Sequence, residues 1–297
     1  MKNFAGKVAV ITGAGSGIGR YLGILLARSG CQVALCDINP TALEETANMA
    51  KTYNVPVSTH QLDVADRQAI LALPEIILKR HGQIDLVFNN AGITIDSDFS
   101  DLPEDDWNSV MDINLHGVVN MTRAFLPLLE ERPEAALVNT SSIFGMVAVA
   151  RQSVYHATKF AVRGFTEALV KEMKASSVQV HCVHPGHIGT NIAASAKVIA
   201  TNKNQAPPLL GKKLSEEERG KAFRDHGMHP SRAAEIILSG VRKRRSRIFV
   251  GLDAKLIDLS QRIMPQHYEK LWPFIFLPAL GLRNKKPVKG LPPAAKA

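Results

Sequence analysis

Cysteine is scarce in this sequence. Cys31, Cys36 and Cys182 are the only three in 297 residues, an odd number at spacings that suit neither a disulfide framework nor a thiolate metal site. A reducing compartment, the cytoplasm, is therefore expected. Long apolar runs are also missing. No stretch reaches the roughly 20 apolar residues of a membrane-spanning helix, and the stretch Lys7 to Ile11 is too short for the core of a signal peptide, so none is expected. A single-sign charge over the body is the third absence. From Arg242 onward there are 13 Lys/Arg and 3 Asp/Glu, which leaves 23 against 24 for everything before it. The net +9 therefore sits in the tail. A basic binding face spread over the body, as nucleic-acid recognition needs, is excluded. A basic tail suits an anionic membrane surface, an acidic partner or simple solubility.

Apolar residues make up 45% of the chain, enough for a sizeable core. Residues 7–12 (KVAVIT) read as a short buried strand that runs into glycine. Residues 18–29 read as a helix with Leu22, Leu25 and Leu26 on one face, closed by Gly30. The same alternation continues. Strands are expected at 32–36, 57–62, 86–88, 136–139 and 179–183, with helices at 40–53, between Asp63 and His81, at 107–129 and at 154–174. Strand–helix alternation at this spacing defines a doubly wound α/β fold with a parallel sheet, the Rossmann type. The alternation stops near Gly186. Residues 187–229 read as an irregular polar lid containing Pro207 and Pro208; Ser231 then caps a helix to Arg242, and 246–251 form a last strand. One domain over 1–251 with a C-terminal extension over 252–297 is the expected organisation.

The turn after the first strand reads Thr12-Gly13-Ala14-Gly15-Ser16-Gly17-Ile18-Gly19. Glycines let backbone approach a pyrophosphate, and the helix that follows aims its amides at the anion. A tight strand-to-helix turn with no ligand is the bland alternative. Asp37 ends the second strand, where a carboxylate either accepts the ribose hydroxyls of adenosine or caps the next helix before Pro40. In the first role it selects NAD over NADP: a 2′-phosphate about 4 Å away is repelled by about 4 kcal/mol at an effective dielectric of about 20. Arg20 points the other way, because a cation there reaches a phosphate; Ser16 is neutral.

Tyr155 and Lys159 lie four apart on one helix face. A phenol with a free pKa of about 10 needs roughly 4 kcal/mol of differential stabilisation to titrate three units lower, within reach of two nearby cations. Ser142 follows the fifth strand on the ligand-binding edge of such a sheet. His181, His184 and His187 have no useful metal-ligand spacing, and no metal site is expected.

Together, Thr12-Gly13-x3-Gly17-Ile18-Gly19, Asn89-Asn90-Ala91-Gly92, Asn114, Asn139-Thr140-Ser141-Ser142, Tyr155-His-Ala-Thr-Lys159 and Pro185-Gly186 with Thr190 resemble the short-chain dehydrogenase/reductase family, in family order over about residues 5–192 and more loosely to about 251. The resemblance implies Tyr155 as general acid/base, Lys159 as the cation that lowers its pKa and holds the nicotinamide ribose, and Ser142 as the group that orients the substrate oxygen. It implies that Asn114 holds a water linking Lys159 to solvent, that Asp63 and Val64 meet the adenine, that Asn90 and Gly92 line the cofactor cleft, and that Pro185, Gly186, Ile188 and Thr190 flank the nicotinamide. Asn90 and Asn114 serve equally well as ties between strands and helices. The implied reaction is hydride transfer between NAD and a secondary alcohol or its ketone, in a homodimer or homotetramer. Ile143, Phe144, His187 and Ile192 give the substrate wall an apolar character. An NADP-dependent carbonyl or ketoacyl reductase and a non-catalytic NAD(H)-binding regulator are the competing readings. The apolar stretch 271–278 beside Arg283, Lys285 and Lys286 suggests peripheral contact with a membrane surface, a cover for the cleft or a subunit contact.

Overall fold

The structure, a computed structural model, describes residues 1–199, 216–272 and 286–292. Its strands are β1 (Val8–Thr12), β2 (Gln32–Asp37), β3 (Val57–Gln61), β4 (Leu86–Asn89), β5 (Ile95–Asp96), β6 (Ala135–Thr140), β7 (Val178–Pro185), β8 (Lys197–Val198) and β9 (Arg247–Val250). Its α-helices are α1 (Gly17–Arg28), α2 (Pro40–Lys51), α3 (Arg67–His81), α4 (Glu104–Met111), α5 (Gly117–Glu130), α6 (Ser153–Glu172), α7 (Glu216–His226), α8 (Pro230–Arg242) and α9 (Leu252–Ile263).

Seven strands form one parallel sheet in the order β3-β2-β1-β4-β6-β7-β9. Alternate residues of each strand face opposite layers. Ala9 and Ile11 of β1, Val33 and Leu35 of β2 and Ala136 and Val138 of β6 pack with α1, α2 and α8. Val10, Ala34, Ala135 and Leu137 pack with α3, α5 and α6 on the other face. Both faces are covered over the inner strands, so β1, β2, β4 and β6 read as apolar runs. The order reverses between β1 and β4, which opens a crevice at the carboxyl ends of the strands.

Three expectations need correction. The helix expected over 107–129 starts at Glu104 and is broken by a π turn at Asp112–His116 that contains Asn114. The lid is not wholly irregular. It contributes β8, which pairs with β5, and the helix α7; Pro207 and Pro208 lie outside the described residues. Helix α8 is capped by His229, whose ring accepts from the Ser231 amide, so Ser231 is not the cap. The described end of the extension, 286–292, returns to the body: Val288 N–H donates to Ser231 Oγ at 2.9 Å, Arg28 donates to Lys289 O at 2.9 Å, and Val288 and Leu291 pack on the α1–α8 layer.

Candidate active site

The loop leaving β1 is built from conformations and spacings that side chains do not fit. Gly13 and Gly17 have φ of +65° and +51°. A Cβ on Gly13 lies 2.9 Å from Ala91 Cα, and one on Gly17 lies 3.1 Å from Thr190 Cγ2. A Cβ on Gly19 collides with Gly13 O, so Ile18 and Gly19 open α1 directly beneath the loop. Ser16 caps α1 without a side-chain bond, which leaves the first amides of the helix without a capping side chain from it. These features fit a dinucleotide pyrophosphate.

Asp37 stands at the carboxyl end of β2 and accepts from Gly15 N–H at 2.8 Å and from Asn39 N–H at 2.9 Å. It is not the cap of α2; Asn39 is, accepting from Ala42 N–H at 3.0 Å. Arg20 is already engaged. Its guanidinium donates to Gly15 O, Thr46 Oγ1 and Glu45 Oε2, the last at 2.9 Å, and is not held out toward a phosphate. Asp63 accepts from Ala65 N–H within its own turn, and Val64 packs on Gly117. Asn90 donates to Thr12 O and Gly13 O, tying β4 to the glycine loop.

The second half of the crevice gathers around β6 and α6. Ser142 follows β6, Tyr155 and Lys159 lie one turn apart on α6, and all three side chains are buried. Lys159 Nζ sits 5.5 Å from the Tyr155 ring centroid and donates to Thr140 O at 3.1 Å. Ser141 Oγ donates to Lys159 O at 2.7 Å, which ties Ser141 to the helix and leaves Ser142 as the hydroxyl facing Tyr155. Burial pushes the Tyr155 phenol up to about 12, and a hydrogen bond with Ser142 only partly offsets it. The expected fall toward neutrality is therefore not produced by the protein groups alone, because desolvation disfavours the phenolate more than they stabilise it. The same burial lowers Lys159 to about 8. Gly92 brings the β4 loop against this pair; a Cβ there lies 3.1 Å from Asn114 Oδ1 and 3.4 Å from Lys159 Nζ. The Asn114 amide is committed to Ile93 N–H and Ile93 O, both at 2.9 Å, and to Thr158. Its side chain thus fastens the π turn to the β4 loop.

Pro185, the last residue of β7, pairs with Val250; beyond it Gly186 N–H donates to Val250 O, Ile188 bridges to Met228, and Thr190 lies over Gly17. Ile143 is buried and Phe144 half-buried; Phe144 meets the Tyr155 ring edge-on at 6.3 Å. Ile192 is half-buried in the turn that follows. The His187 ring packs on Phe223 of α7 at 4.2 Å and its Nε2 bonds to Phe223 O at 2.6 Å, which joins it to the segment expected to form the lid. The three histidines go to separate partners, since His181 bonds to Arg245 O and His184 to Ser142 O. Three groups were not apparent in sequence. His184 supports the backbone of Ser142, Asp253 of α9 accepts from His187 N–H at 2.8 Å, and His156 holds the loop after Ser142. Only the position of His156, beside Tyr155, offered a signal.

The crevice joins a dinucleotide-shaped loop to a buried hydroxyl–phenol–ammonium group, the arrangement of a Rossmann-type oxidoreductase. Residues 7–199 match the model of the short chain dehydrogenases, and the chain belongs to that family. It is 40% identical over 274 residues to SadH of Mycobacterium tuberculosis, spanning 91% of this chain and 95% of that one. A short-chain dehydrogenase/reductase from Burkholderia phymatum, solved in complex with NAD, superposes with a TM-score of 0.77 at 26% identity over 98% of this chain and all of that one. Carveol dehydrogenase from Mycobacterium avium, also with NAD, gives 0.62 at 29% identity over 65% and 75% of the two chains. Other neighbours of the fold were solved with NADP or a derivative of it. Among the described residues no helix is long and apolar enough to cross a membrane.

Proposed function

We propose that this oxidoreductase uses NAD to interconvert a hydrophobic secondary alcohol and its ketone. The observation that carries the reading is the placement of Ser142, Tyr155 and Lys159 at the carboxyl edge of the sheet, beside the uncapped glycine loop. When bound, the nicotinamide accepts or returns the hydride. Asp37, held by two backbone amides, receives the adenosine ribose hydroxyls, and Gly13, Gly17 and the start of α1 receive the pyrophosphate. Ser142 donates to the substrate oxygen, and Tyr155 takes the hydroxyl proton in oxidation and gives it back in reduction. Lys159 keeps a positive charge against the phenol. The engagement of Arg20 by Glu45 and Gly15 supports NAD over NADP, since that cation is already neutralised.

The apolar character of Ile143, Phe144, Met146 and Val147 supports a hydrophobic substrate, and a relative that carries the name carveol dehydrogenase agrees with it. The test is turnover of a panel of secondary alcohols and ketones of increasing size with NAD+ and with NADP+. Oxidation of apolar secondary alcohols with NAD+ is expected. Turnover confined to NADP-linked reduction of polar carbonyls contradicts the proposal, and binding of NADH without turnover of any member returns the non-catalytic reading. Homo-oligomer formation belongs to the same proposal: Phe160 stands exposed on α6, and light scattering is expected to give a dimer or tetramer. The membrane contact suggested by the tail rests largely on residues 273–285, outside the described part.

A further inference from the structure

The segment that follows Ser142 forms the wall beside the reacting hydroxyl, and it is fastened at two points by residues outside the Ser142–Tyr155–Lys159 group. His156, next to Tyr155 on α6, is 6% exposed and spends both ring nitrogens on this segment. Its Nδ1 lies 3.0 Å from Phe144 O, and its Nε2 lies 2.9 Å from Val149 N. A carbonyl can only accept and an amide N–H can only donate, so the pair dictates one tautomer, with the proton on Nδ1. Burial lowers the pKa of this ring, which favours the same neutral form. The two bonds close the ends of a short loop onto a helix that cannot move without moving Tyr155.

The second fastening comes from the C-terminal extension, more than a hundred residues away in sequence. Tyr268 Oη accepts from Ala148 N–H at 3.0 Å and lies 3.4 Å from Ala148 O. Beneath that contact, Ile143, Met146 and Val147 pack with Ala254 and Ile257 of α9 and with Tyr268 and Trp272. The Phe144 ring joins the two fastenings to the chemistry, edge-on to His156 at 4.9 Å and to Tyr155 at 6.3 Å.

We infer that His156 and Tyr268 are positioning residues that together set the shape of the 143–149 wall, so that the extension over 252–272 is part of the specificity apparatus for large apolar substrates. A wall held only from α6 would be free to swing at its outer edge. Anchoring it to α9 and Tyr268 fixes the space beside Tyr155 into which the bulk of a substrate must fit. The kinetic half of this inference rests on the proposed oxidoreductase function; the structural half does not.

The experiment compares the full-length protein with Tyr268→Phe, which removes a single oxygen atom, and with His156→Leu. Amide hydrogen exchange is read on peptides spanning 143–149. Tyr268→Phe is expected to speed exchange there about fivefold, the scale of one lost hydrogen bond, and His156→Leu, which loses two, by more than that, with the central strands unchanged. NADH affinity is expected to stay within about twofold while KM for the bulkiest alcohols rises about fivefold or more and kcat for the smallest hardly moves. Unchanged exchange in Tyr268→Phe overturns the inference even if His156→Leu fails to fold. Faster exchange with an unchanged ranking of substrates overturns the specificity role. If the unmodified protein oxidises no alcohol, the proposed function fails instead, and exchange alone decides whether the wall is fastened as described.

Discussion

Asp37 is the residue on which the proposed choice of NAD turns. Two amides, from Gly15 and Asn39, hold it at the end of β2, so its charge has a fixed place from which to meet a ribose or repel a phosphate. Asp37→Ser is expected to raise the ratio of kcat/KM for NADP+ to that for NAD+ by at least about tenfold, equivalent to roughly 1.4 kcal/mol and well below the unscreened repulsion. Initial rates with the two cofactors check this, and an unchanged ratio contradicts it. The residues of such a site differ in how much the sequence reveals of them. Tyr155 and Lys159 stand one helical turn apart, so their shared face can be read directly from spacing. Asp253 cannot be found this way, because it meets His187 across 66 residues and only the folded β7–α9 junction brings them together. Asn114 reads equally as a water-holding group or as a tie between elements; in the fold its amide ties the π turn to Ile93, through a turn the sequence does not mark.

Elements follow the same division. The inner strands β1, β2, β4 and β6 read as apolar runs because both faces of the sheet are covered there, whereas the edge strand β3 is polar and half-exposed. The π turn at Asp112–His116 was not, since one extra residue in a helix barely disturbs an apolar pattern. Helix α7 was missed because its sequence is almost wholly polar and lacks an apolar stripe. The short 3₁₀ turn Ile143–Gly145 carries a strict requirement at its last position. A Cβ on Gly145 collides with Ser141 Oγ and comes 2.7 Å from Lys159 O, backbone that belongs to α6. Gly145→Ala is therefore expected to destabilise the protein by about 1–3 kcal/mol and to lower kcat, because the turn must lift away from α6. Thermal unfolding and initial rates read the two effects, and a variant with unchanged Tm and kcat contradicts the packing described.

For the whole molecule, the crevice places buried ionisable groups where their protonation bears on stability. Lys159 is lowered to about 8 from an ordinary value of 10.5, so between these two pH values the unfolded chain binds more protons than the folded one. Stability from this group is complete above about 10.5 and is lost as pH falls through about 8. Relative to Lys159→Met, the unmodified protein is expected to gain roughly 3 kcal/mol between pH 7.5 and 10.5. Tyr155 acts in the opposite sense. Raised to about 12, its contribution is present below about 10 and is lost as pH rises to about 12. Denaturant titrations of both proteins across this range decide the point, and parallel pH profiles contradict the burial assigned to Lys159. The C-terminal extension belongs to this scale too. Its first part packs on the 143–147 segment and its described end returns to the α1–α8 layer.

The most direct test of a phenol acting at the carboxyl edge of this sheet is Tyr155→Phe, assayed for NADH binding and for alcohol oxidation in the same preparation. Binding within about twofold of the unmodified protein, with turnover reduced at least about a hundredfold, is the predicted result. Turnover that survives largely intact would contradict it.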